Sequence, residues 1–449
     1  EMNVHVAQSI EARAELEELC GSDRCLISAA DSSPLITPVQ DSSLATFLMS
    51  SLDEPVSRAR FFDLSLLVRH PAPVAHGDWV LRRAASIRRI LRAEGRPARA
   101  FTARGLLSLV LPDTFCMRRN GINIQDGVVV AGSITKNIMN KTVLHGIFET
   151  YDRETTVAFI NNIQFIAVGW LEGRSFSIGI EDCIFKGDRN TIADSVTRFM
   201  FQAEQTRRVT RGARLREAKV TAVLNSALNA GLRTAREGMG KNNALLLVIA
   251  SGTKGNEWNA TQITGLLGQQ MIGGGRFKKT LNNGRRTLPH YPLHANMSTE
   301  LEYESQGFIS SSFSGGLSPR EFFFHTATGR EGVTDGAMAT ANSGYAQRRL
   351  VKTLEDVHVA QDGTVRDGIG RILSMAYGDS NLNPTETRNT TAPDGCTRRR
   401  VCDAKAILDR IHKTIARESA SELATLSTKR SFTPSSPFNP KKLRKKMNK

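Results

Sequence analysis

The sequence predicts an α+β protein built from several domains, and three observations support this. The chain has 449 residues, a length that favours about two to four domains. Residues 101–185 contain β-branched runs interrupted by glycine and aspartate, a pattern typical of strands. Residues 191–232 and 318–356 instead carry long helical patterns, so helices and strands occupy separate parts of the chain.

The first hundred residues predict two helices. One is the charged amphipathic segment Ser9–Leu19, and the other is a basic segment, Trp79–Ala93. The arginines in and after the second segment are Arg82, Arg83, Arg88, Arg89, Arg92, Arg96 and Arg99. We interpret them as a solvated face of the helix, because a charge run on a helix most often faces water.

The middle of the chain predicts strands first and helices afterwards. Strand-like runs are GLLSLVLP, GINIQDGVVVAGSIT and FSIGIEDCIF, with a helix from Arg153 to Leu171 between the last two. Residues 188–250 are helical, and the Ala-rich part Thr191–Leu232 predicts a long antiparallel helical pair. It carries the cluster Arg207, Arg208, Arg211, Arg214 and Arg216. Residues 251–317 hold SGTKGNEWNATQITGLLGQQ and then GGGRFKKTLNNGRRTLPHYP, which we expect to be a flexible basic loop.

Residues 318–356 predict a single helix of unusual length. Ser318 is a good N-cap, Pro319 suits the first helical position, and Glu321 completes a capping box. Such a helix would be about 55 Å long. Four glycines interrupt it, at 329, 332, 336 and 344. Each glycine costs about 1 kcal/mol in a helix interior, so we expect the helix to bend or to be approached closely.

Composition indicates a polyanionic partner for this chain. The net charge is +16 and the pI is near 9.9, which indicates a polyanion such as nucleic acid or, equally, a solvated basic surface. The six cysteines and nine histidines form no zinc pattern and no secreted disulfide framework. There is no apolar run long enough to span a membrane. After a predicted helix at 404–425, the Pro/Ser-rich basic tail 428–449 predicts disorder. Its run PKKLRKK fits a nuclear import signal or a nucleic-acid arm, but non-specific charge is the more frequent explanation of such a run.

Several blocks resemble one protein family. Arg330–Gly332 (REG), Thr340–Ala341 and SGYAQRRLVKTLED resemble the bridge helix of the largest subunit of multisubunit DNA-directed RNA polymerases of the eukaryotic, archaeal and large-DNA-virus type. NNIQFIAVGWLEGRSFSIGIEDCI resembles the family's pore domain, and residues 191–232 resemble its funnel helices. SGTKGN, GQQ and RTLPH follow in the family's order.

The resemblance implies five regions. They are the end of the active-site domain with a divergent connector (1–103), a mixed β pore domain (104–187), a funnel domain with long antiparallel helices (188–317), the long bridge helix with the segment after it (318–383), and a divergent C-terminal helix with a disordered basic tail (384–449). The family's metal-binding loop, with its three aspartates, is expected to lie just upstream of Glu1. The resemblance therefore implies Mg²⁺ held outside this chain, no zinc site within it, and no activity for the chain alone.

The resemblance also implies roles for particular residues in template-directed nucleotidyl transfer. Thr340, Ala341 and Tyr345 would lie at the nucleotide-addition site. Arg348 and Arg349 would contact template phosphates, and Lys254 would approach the incoming triphosphate. The residues implied to support the helix are Gln269, Gln270 and Arg286. Ala339 stands where the eukaryotic-type family usually has lysine, which removes one charge near the template.

The implied partners are the second-largest polymerase subunit, the rest of the largest subunit, the DNA template, the RNA product and nucleoside triphosphates, without a membrane. The expected location is intracellular, in a nucleus, a viral factory or a virion. An alternative fits the expected lack of the metal loop: a non-catalytic nucleic-acid-binding protein descended from a polymerase. A co-purifying second-largest subunit would favour the enzyme over this alternative.

Overall fold

A computed structural model describes residues 4–69, 75–187, 189–240, 243–293, 297–379, 387–391 and 397–401. The chain divides into two compact units, one formed by Glu1–Leu26 with Ser33–Asp356 and the other by Ile27–Ser32 with Val357–Lys449. The described elements are helices with small antiparallel sheets, which confirms the predicted α+β class. The predicted helix at 404–425 and the basic tail 428–449 lie outside the described residues.

The first unit contains all the α-helices among the described residues. They are α1 (Ile10–Glu18), α2 (Asp41–Leu52), α3 (Arg58–Ser65), α4 (His76–Ala93), α5 (Ala103–Val110), α6 (Lys136–Ile138), α7 (His145–Thr150), α8 (Arg153–Arg174), α9 (Arg189–Val209), α10 (Ala213–Gly238), α11 (Ala244–Ser251), α12 (Glu257–Thr264), α13 (Leu281–Gly284), α14 (Thr299–Ser305) and α15 (Pro319–Leu354). A π-helical segment, Met139–Leu144, joins α6 to α7. The predicted helices at 9–19, 79–93 and 153–171 are confirmed as α1, α4 and α8.

The strands are short, and every described pairing is antiparallel. The first unit has β1 (Met117–Arg119), β2 (Ile122–Gln125), β3 (Val128–Ala131), β4 (Gly268–Gln269), β5 (Met271–Ile272), β6 (Gly275–Arg276) and β7 (Phe308–Ile309). The second unit has β8 (His358–Val359), β9 (Val365–Arg366), β10 (Ile372–Ser374), β11 (Thr387–Thr391) and β12 (Thr397–Val401). The sheet orders are β1-β2-β3, β4-β7, β5-β6, β10-β9-β8 and β11-β12.

The N-terminal core corrects two strand predictions. The run GLLSLVLP was expected to be a strand, but it forms α5, whose N-cap Thr102 accepts a hydrogen bond from Gly105 N at 3.1 Å. Seven of its eight residues are buried against α2, α8 and β3, so the run has no polar face that would reveal its period. FSIGIEDCIF was also expected to be a strand, but residues 180–183 form a 3₁₀ turn. The Asp182 carboxylate stabilises that turn by accepting from Gly179 N at 3.0 Å and Ala244 N at 3.0 Å.

Arg83 corrects the interpretation of α4 as an entirely solvated basic face. Its side chain is 5% exposed and donates to the carbonyl oxygens of Ser108 and Gly127, each at 2.9 Å. It also pairs with Asp113 at 2.9 Å. Burial lowers the pKa of Arg83, because removing the guanidinium from water disfavours its charge. The residue therefore fastens α4 to the end of α5 and to the β2–β3 turn, while Arg82, Arg88 and Arg89 do not share its burial.

The predicted long helical pair is confirmed as α9 and α10, which a three-residue connection joins. Ile192, Val196, Met200 and Ala203 form a buried stripe at helical spacing on α9. It packs against Val220, Leu224 and Ala227 of α10, and Leu266, Tyr303 and Phe308 complete this core. The second core thus joins the helical pair to β7 and α14, the elements that precede α15.

The prediction of a flexible basic loop is wrong for the first part of that segment. Residues 271–276 form the β5–β6 hairpin, and its two turn glycines have positive φ, +58° at Gly273 and +74° at Gly274. This is the backbone that a tight hairpin turn requires. Two of the segment's basic side chains form ion pairs: Arg276 with Glu217 at 2.6 Å and Lys279 with Glu302 at 2.7 Å. Partners distant in sequence therefore order a segment whose composition suggests flexibility.

The predicted long helix is confirmed as α15, a continuous helix of 36 residues. Ser318 accepts from Glu321 N, Glu321 accepts from Ser318 N, and Pro319 takes the first helical position, as the sequence predicts. The helix ends at Leu354, two residues before the expected Asp356.

Candidate functional site

The N-terminal end of α15 is anchored by a buried carboxylate. Glu321 is 5% exposed and accepts from Ser311 Oγ at 3.0 Å and from Ser318 N at 2.9 Å. Next to it, Arg320 pairs with Glu304 of α14 at 3.1 Å. The capping-box residue Glu321 therefore also bonds α15 to the segment between β7 and the helix. These contacts fix the position of the start of the helix.

An aromatic cluster holds the next turn of α15. Phe324 is 1% exposed, and its ring centroid lies 4.7 Å from that of Phe277 and 6.3 Å from that of Tyr291. Arg320 lies over the Tyr291 ring, with its guanidinium carbon 5.1 Å from the centroid. Burial raises the pKa of Tyr291, and the nearby Glu304 carboxylate raises it further. The phenol therefore stays protonated and donates to Glu304 at 3.1 Å.

The β5–β6 hairpin supports α15 along one face. His325 Nδ1 lies 3.4 Å from Gln270 Oε1, Thr328 Oγ1 donates to Met271 O at 3.1 Å, and Glu331 Oε1 accepts from Gly273 N at 2.8 Å. The three helix residues are spaced by three, which places them close together on one face. The hairpin thus contacts α15 as far as Glu331.

A charged cluster beneath the anchored end joins α9 to α14. Glu204 is 8% exposed, accepts from Arg207 at 2.7 Å and from Arg208 at 2.9 Å, and lies 3.5 Å from Tyr303 OH. The hydrogen bond from Arg207 is the main reason that the pKa of Glu204 falls to about 2. Burial raises the pKa of Tyr303 to about 12. Glu204 is therefore ionised and Tyr303 is protonated at neutral pH.

The remainder of α15 has a different environment. Every residue from Gly332 to Leu354 is exposed in the structure. Large apolar side chains are included, since Val333 is 75% exposed, Tyr345 64% and Leu350 62%. A Cβ added at Gly332, Gly336 or Gly344 would meet no atom within 4 Å. The glycines of this segment therefore make room for nothing within the described part of the chain.

The predicted addition-site and template residues lie together on this exposed segment. Ala341, Gly344, Tyr345 and Arg348 fall within an arc of about 100° on the helix, with Thr340 on one flank. Thr340 Oγ1 donates back to Gly336 O at 2.9 Å, a bond within the helix. The side chains of this face are therefore small at residues 340–344, and the face becomes basic one turn later.

The basic end of this face has two internal contacts. The guanidinium of Arg349 lies over the Tyr345 ring, 5.7 Å from its centroid. Lys352 pairs with Glu355 at 2.8 Å, and that hydrogen bond raises the pKa of Lys352. Arg348 is exposed on the face itself. Its charge is available to an anion that approaches from this side.

The predicted support residues hold the neighbourhood of α15 in different ways. Gln270 reaches His325 directly, whereas the Gln269 amide donates to Gln306 O at 2.9 Å and braces β4 against the turn before β7. Arg286 donates to Pro289 O at 3.1 Å and Tyr291 O at 3.3 Å, so it fixes the loop that carries Tyr291. Gln270 thus contacts α15 directly, whereas these contacts of Gln269 and Arg286 are made to neighbouring segments.

Lys254 is exposed on the short loop between α11 and α12. Gly252 and Gly255 on either side of it have φ of +72° and +70°. In the described part of the chain, no hydrogen bond or ion pair joins Lys254 to α15. The structure therefore groups the predicted residues of α15 on one exposed segment, places Gln270 against the anchored end of the helix at His325, and leaves Lys254 on a separate loop.

The described residues contain neither a cluster placed to bind a metal ion nor a helix that could span a membrane. No group of three or more His, Cys, Asp or Glu side chains within them is placed to hold a metal ion. None of their helices combines the length and the apolar character needed to cross a bilayer.

Sequence reasoning missed the two polar contacts that hold α15 to the hairpin, those of Thr328 and Glu331. Their spacing from His325 was a usable signal, since three polar residues at intervals of three share one helix face. The glycine pair between Ile272 and Gly275 was a second signal, because Gly-Gly is a common two-residue turn of a β-hairpin.

Three family models match the chain in sequence order. Residues 25–183 match RNA polymerase Rpb1, domain 3, residues 204–309 match domain 4, and residues 316–423 match domain 5. A homolog of DNA-directed RNA polymerase II subunit RPB1 from Invertebrate iridescent virus 6 is 39% identical over 409 residues, covering 86% of this chain and 40% of the relative.

Two further relatives give the same result at lower identity. A DNA-directed RNA polymerase protein of Frog virus 3 is 33% identical over 401 residues, covering 88% of this chain and 29% of the relative. DNA-directed RNA polymerase II subunit RPB1-A of Trypanosoma brucei brucei is 30% identical over 409 residues, covering 85% of this chain and 22% of the relative. The chain therefore spans less than half the length of these curated relatives.

Proposed function

The chain belongs to the family of largest subunits of DNA-directed RNA polymerases, and from that premise we propose that it forms the part of such a subunit that lies beside the nucleotide-addition site. In this proposal residues 104–187 form the pore domain, residues 188–317 form the funnel that lines the secondary channel, and α15 is the bridge helix. Template-directed nucleotidyl transfer occurs only in the assembled enzyme.

The exposed segment of α15 carries this proposal. An isolated helix gains little from hydrogen bonds alone, and most helical stability in proteins comes from packing one face. Residues 332–354 contain glycines and are exposed on every side, so we infer that a partner covers them and stabilises the helix. At Ala341 and Gly344 the helix is narrow enough for a flat base pair to pack against it. At Arg348 and Arg349 it offers the cations that position a nucleic-acid backbone.

The chemistry is divided between this chain and its partners. Mg²⁺ would stabilise the attacking and leaving oxygens when bound, and the family's aspartate loop would supply its ligands. Lys254, on its glycine-flanked loop, would approach the incoming triphosphate. Thr340, Ala341 and Tyr345 would orient the new base pair, which lowers the barrier by placing the reacting atoms in line.

The proposed partners are the second-largest subunit, the rest of the largest subunit, the DNA template, the RNA product and nucleoside triphosphates. The proposed location is the nucleus or a viral factory or virion. These follow from the family and from the +16 charge of the chain.

The test is to purify the protein from its native source through a tag on this chain. We expect the second-largest subunit to co-purify, and we expect the complex to extend an RNA primer on a DNA template in the presence of Mg²⁺. A preparation that binds nucleic acid but contains no second-largest subunit and extends no primer would instead support the non-catalytic nucleic-acid-binding protein.

A further inference from the structure

A cavity of about 450 Å³ lies next to the N-terminal end of α15. Pockets that bury a small organic molecule have about this size. Its walls come from α9, α14, the end of α12 and the segment between β7 and α15. It is therefore formed entirely by elements of the first unit, and it lies away from the exposed face of α15.

The cavity has one apolar side. Ile192, Val196 and Met200 of α9 and Phe308 of β7 line it, and each is at most 7% exposed. These residues belong to the core between α9 and α10, so they are held in place from behind. An apolar body of a few carbon atoms would be removed from water on this side.

The other side is polar and negatively charged. Glu300 and Glu304 lie one turn apart on α14 and both line the cavity, and its remaining lining residues include no cation. Hydroxyl groups of Ser310 and Ser312 are nearby in the lining. Two carboxylates without a lining cation are unexpected in a chain of net charge +16, and they select for positive charge.

The two carboxylates have different surroundings. Glu304 is already engaged, because it pairs with Arg320 at 3.1 Å and accepts from Tyr291 OH at 3.1 Å. Glu300 is exposed in the first turn of α14. A cation in the cavity would therefore find Glu300 available and would compete with Arg320 for Glu304.

We propose that this cavity binds a small organic cation, with its protonated amine or guanidinium at Glu300 and Glu304 and its apolar body against Val196, Met200 and Phe308. A hydrated metal ion fits less well, because one side of the cavity is hydrocarbon and offers no oxygen ligand. An anion would face two carboxylates. Because Arg320 and Glu321 anchor α15 beside the cavity, binding there is coupled to the position of that helix.

The test uses the full chain with 13C-methyl methionine and follows the Met200 methyl signal by NMR. The probe is 3-phenylpropylamine, and the neutral 3-phenylpropanol is the matched control for its charge. We expect saturable shifts of Met200 with the amine, with a Kd on the order of 1 mM for a molecule of this size. The alcohol should bind about tenfold more weakly, because it lacks the charge-assisted hydrogen bond.

Three variants locate the site. Glu300→Gln should weaken amine binding about fivefold to tenfold, and Asp194→Asn, which removes an acid from α9 outside the cavity lining, should leave it unchanged. Ala193→Trp should fill the mouth and abolish binding, whereas Ala218→Trp on α10 should not. Arg320→Gln should tighten binding, because it frees Glu304.

The proposal is wrong if the amine and the alcohol bind equally, if Glu300→Gln binds the amine as the parent chain does, or if Met200 does not respond. None of these readouts depends on nucleotide addition. The cavity can therefore fail as a cation site while the proposed polymerase function stands, and the reverse also holds.

Discussion

The first third of α15 and the rest of the helix differ in what supports them. Residues 319–331 are held by a buried carboxylate, an aromatic cluster and the β5–β6 hairpin. Residues 332–354 are exposed throughout. Both parts are one continuous helix with good sequence signals, so the difference is one of surroundings. It shows that the anchored part packs on this chain's own core, whereas the exposed part does not pack on any of the described residues.

The substitution with the largest expected effect lies in the anchored part of α15, residues 319–331. Phe324→Ala should lower the free energy of unfolding by about 3–5 kcal/mol, because it removes a buried ring from the core. Urea denaturation of the full chain would measure this. The neighbouring Phe323 is 48% exposed, so Phe323→Ala should cost less than about 1 kcal/mol. Equal costs for the two phenylalanines would show that the first turns of α15 are not anchored as described.

The exposed part should respond in function and not in stability. Thr340→Trp should reduce nucleotide addition by the assembled polymerase by about 10²-fold or more, because a bulky ring displaces the base pair. The free energy of unfolding should stay within about 0.5 kcal/mol of the parent value. Thr353→Trp, about 20 Å further along the helix, is the matched control and should retain most activity. Normal elongation by Thr340→Trp would remove this helix from the addition site.

The charged cluster beneath the anchored part gives a pH-dependent test. Glu204→Gln should lower the free energy of unfolding at pH 7 by about 1–3 kcal/mol, because Arg207 and Arg208 lose a buried partner. The folded-state pKa of Glu204 is about 2, against an ordinary value of 4.5. A lowered pKa means that the stabilisation is complete above pH 4.5 and is lost as the pH falls toward 2.

Denaturation of Glu204→Gln and the parent chain should therefore differ most at pH 5–7 and converge as the pH approaches 2. Glu17→Gln, whose carboxylate is 63% exposed and pairs with the exposed Arg13, is the control and should show a smaller difference. A gap between Glu204→Gln and the parent that is independent of pH would mean that the charge of Glu204 is not what holds α9 to α14.

A smaller effect should come from the basic end of the exposed face. Arg348→Ala should weaken binding of the polymerase to template DNA a few-fold and should reduce the slope of log K against log salt by about 1, the value for one lost phosphate contact. Arg13 of α1, which pairs with Glu17 at 3.0 Å, provides the control substitution Arg13→Ala. If both variants keep the parent slope, Arg348 does not contact a phosphate.

The smallest expected effect is that of substituting a glycine in the exposed part of α15. Gly336→Ala should stabilise the chain by about 0.5–1 kcal/mol, because an added methyl group meets no atom and alanine is the better helix former. Gly121 also has open space around it, but its φ is +77°, so Gly121→Ala should destabilise. In the assembled polymerase we expect Gly336→Ala to slow elongation. A stabilised variant with unimpaired elongation would mean that no partner approaches closely at that position.

Local signals made much of the fold predictable. The start of α15 could be read from Ser318, Pro319 and Glu321, because capping is a contact between residues close in sequence. The α9–α10 pair was predicted because a long Ala-rich stretch has few alternatives to helix. The family blocks then located Gln270 next to the helix, where the structure places it against His325.

The parts that sequence reasoning missed depend on distant partners. The basic segment after Gln270 looks flexible until Glu217 and Glu302 are seen to pair with Arg276 and Lys279. Arg83 looks solvated until the carbonyls of α5 and the β2–β3 turn surround it. Each error came from judging a charged side chain by its neighbours in sequence, which say little about what tertiary structure places around it.

The hydrogen bond between Glu331 and Gly273 N affects how precisely Thr340 can be positioned. It is the outermost described contact between α15 and the hairpin, and Thr340 lies about 14 Å beyond it along the axis. A tilt of about 5° at that pivot would shift Thr340 sideways by about 1 Å, and errors of that size can slow an enzyme about 10²-fold. The stiffness of the Gly273–Gly274 turn would therefore limit how precisely the exposed part of α15 is positioned.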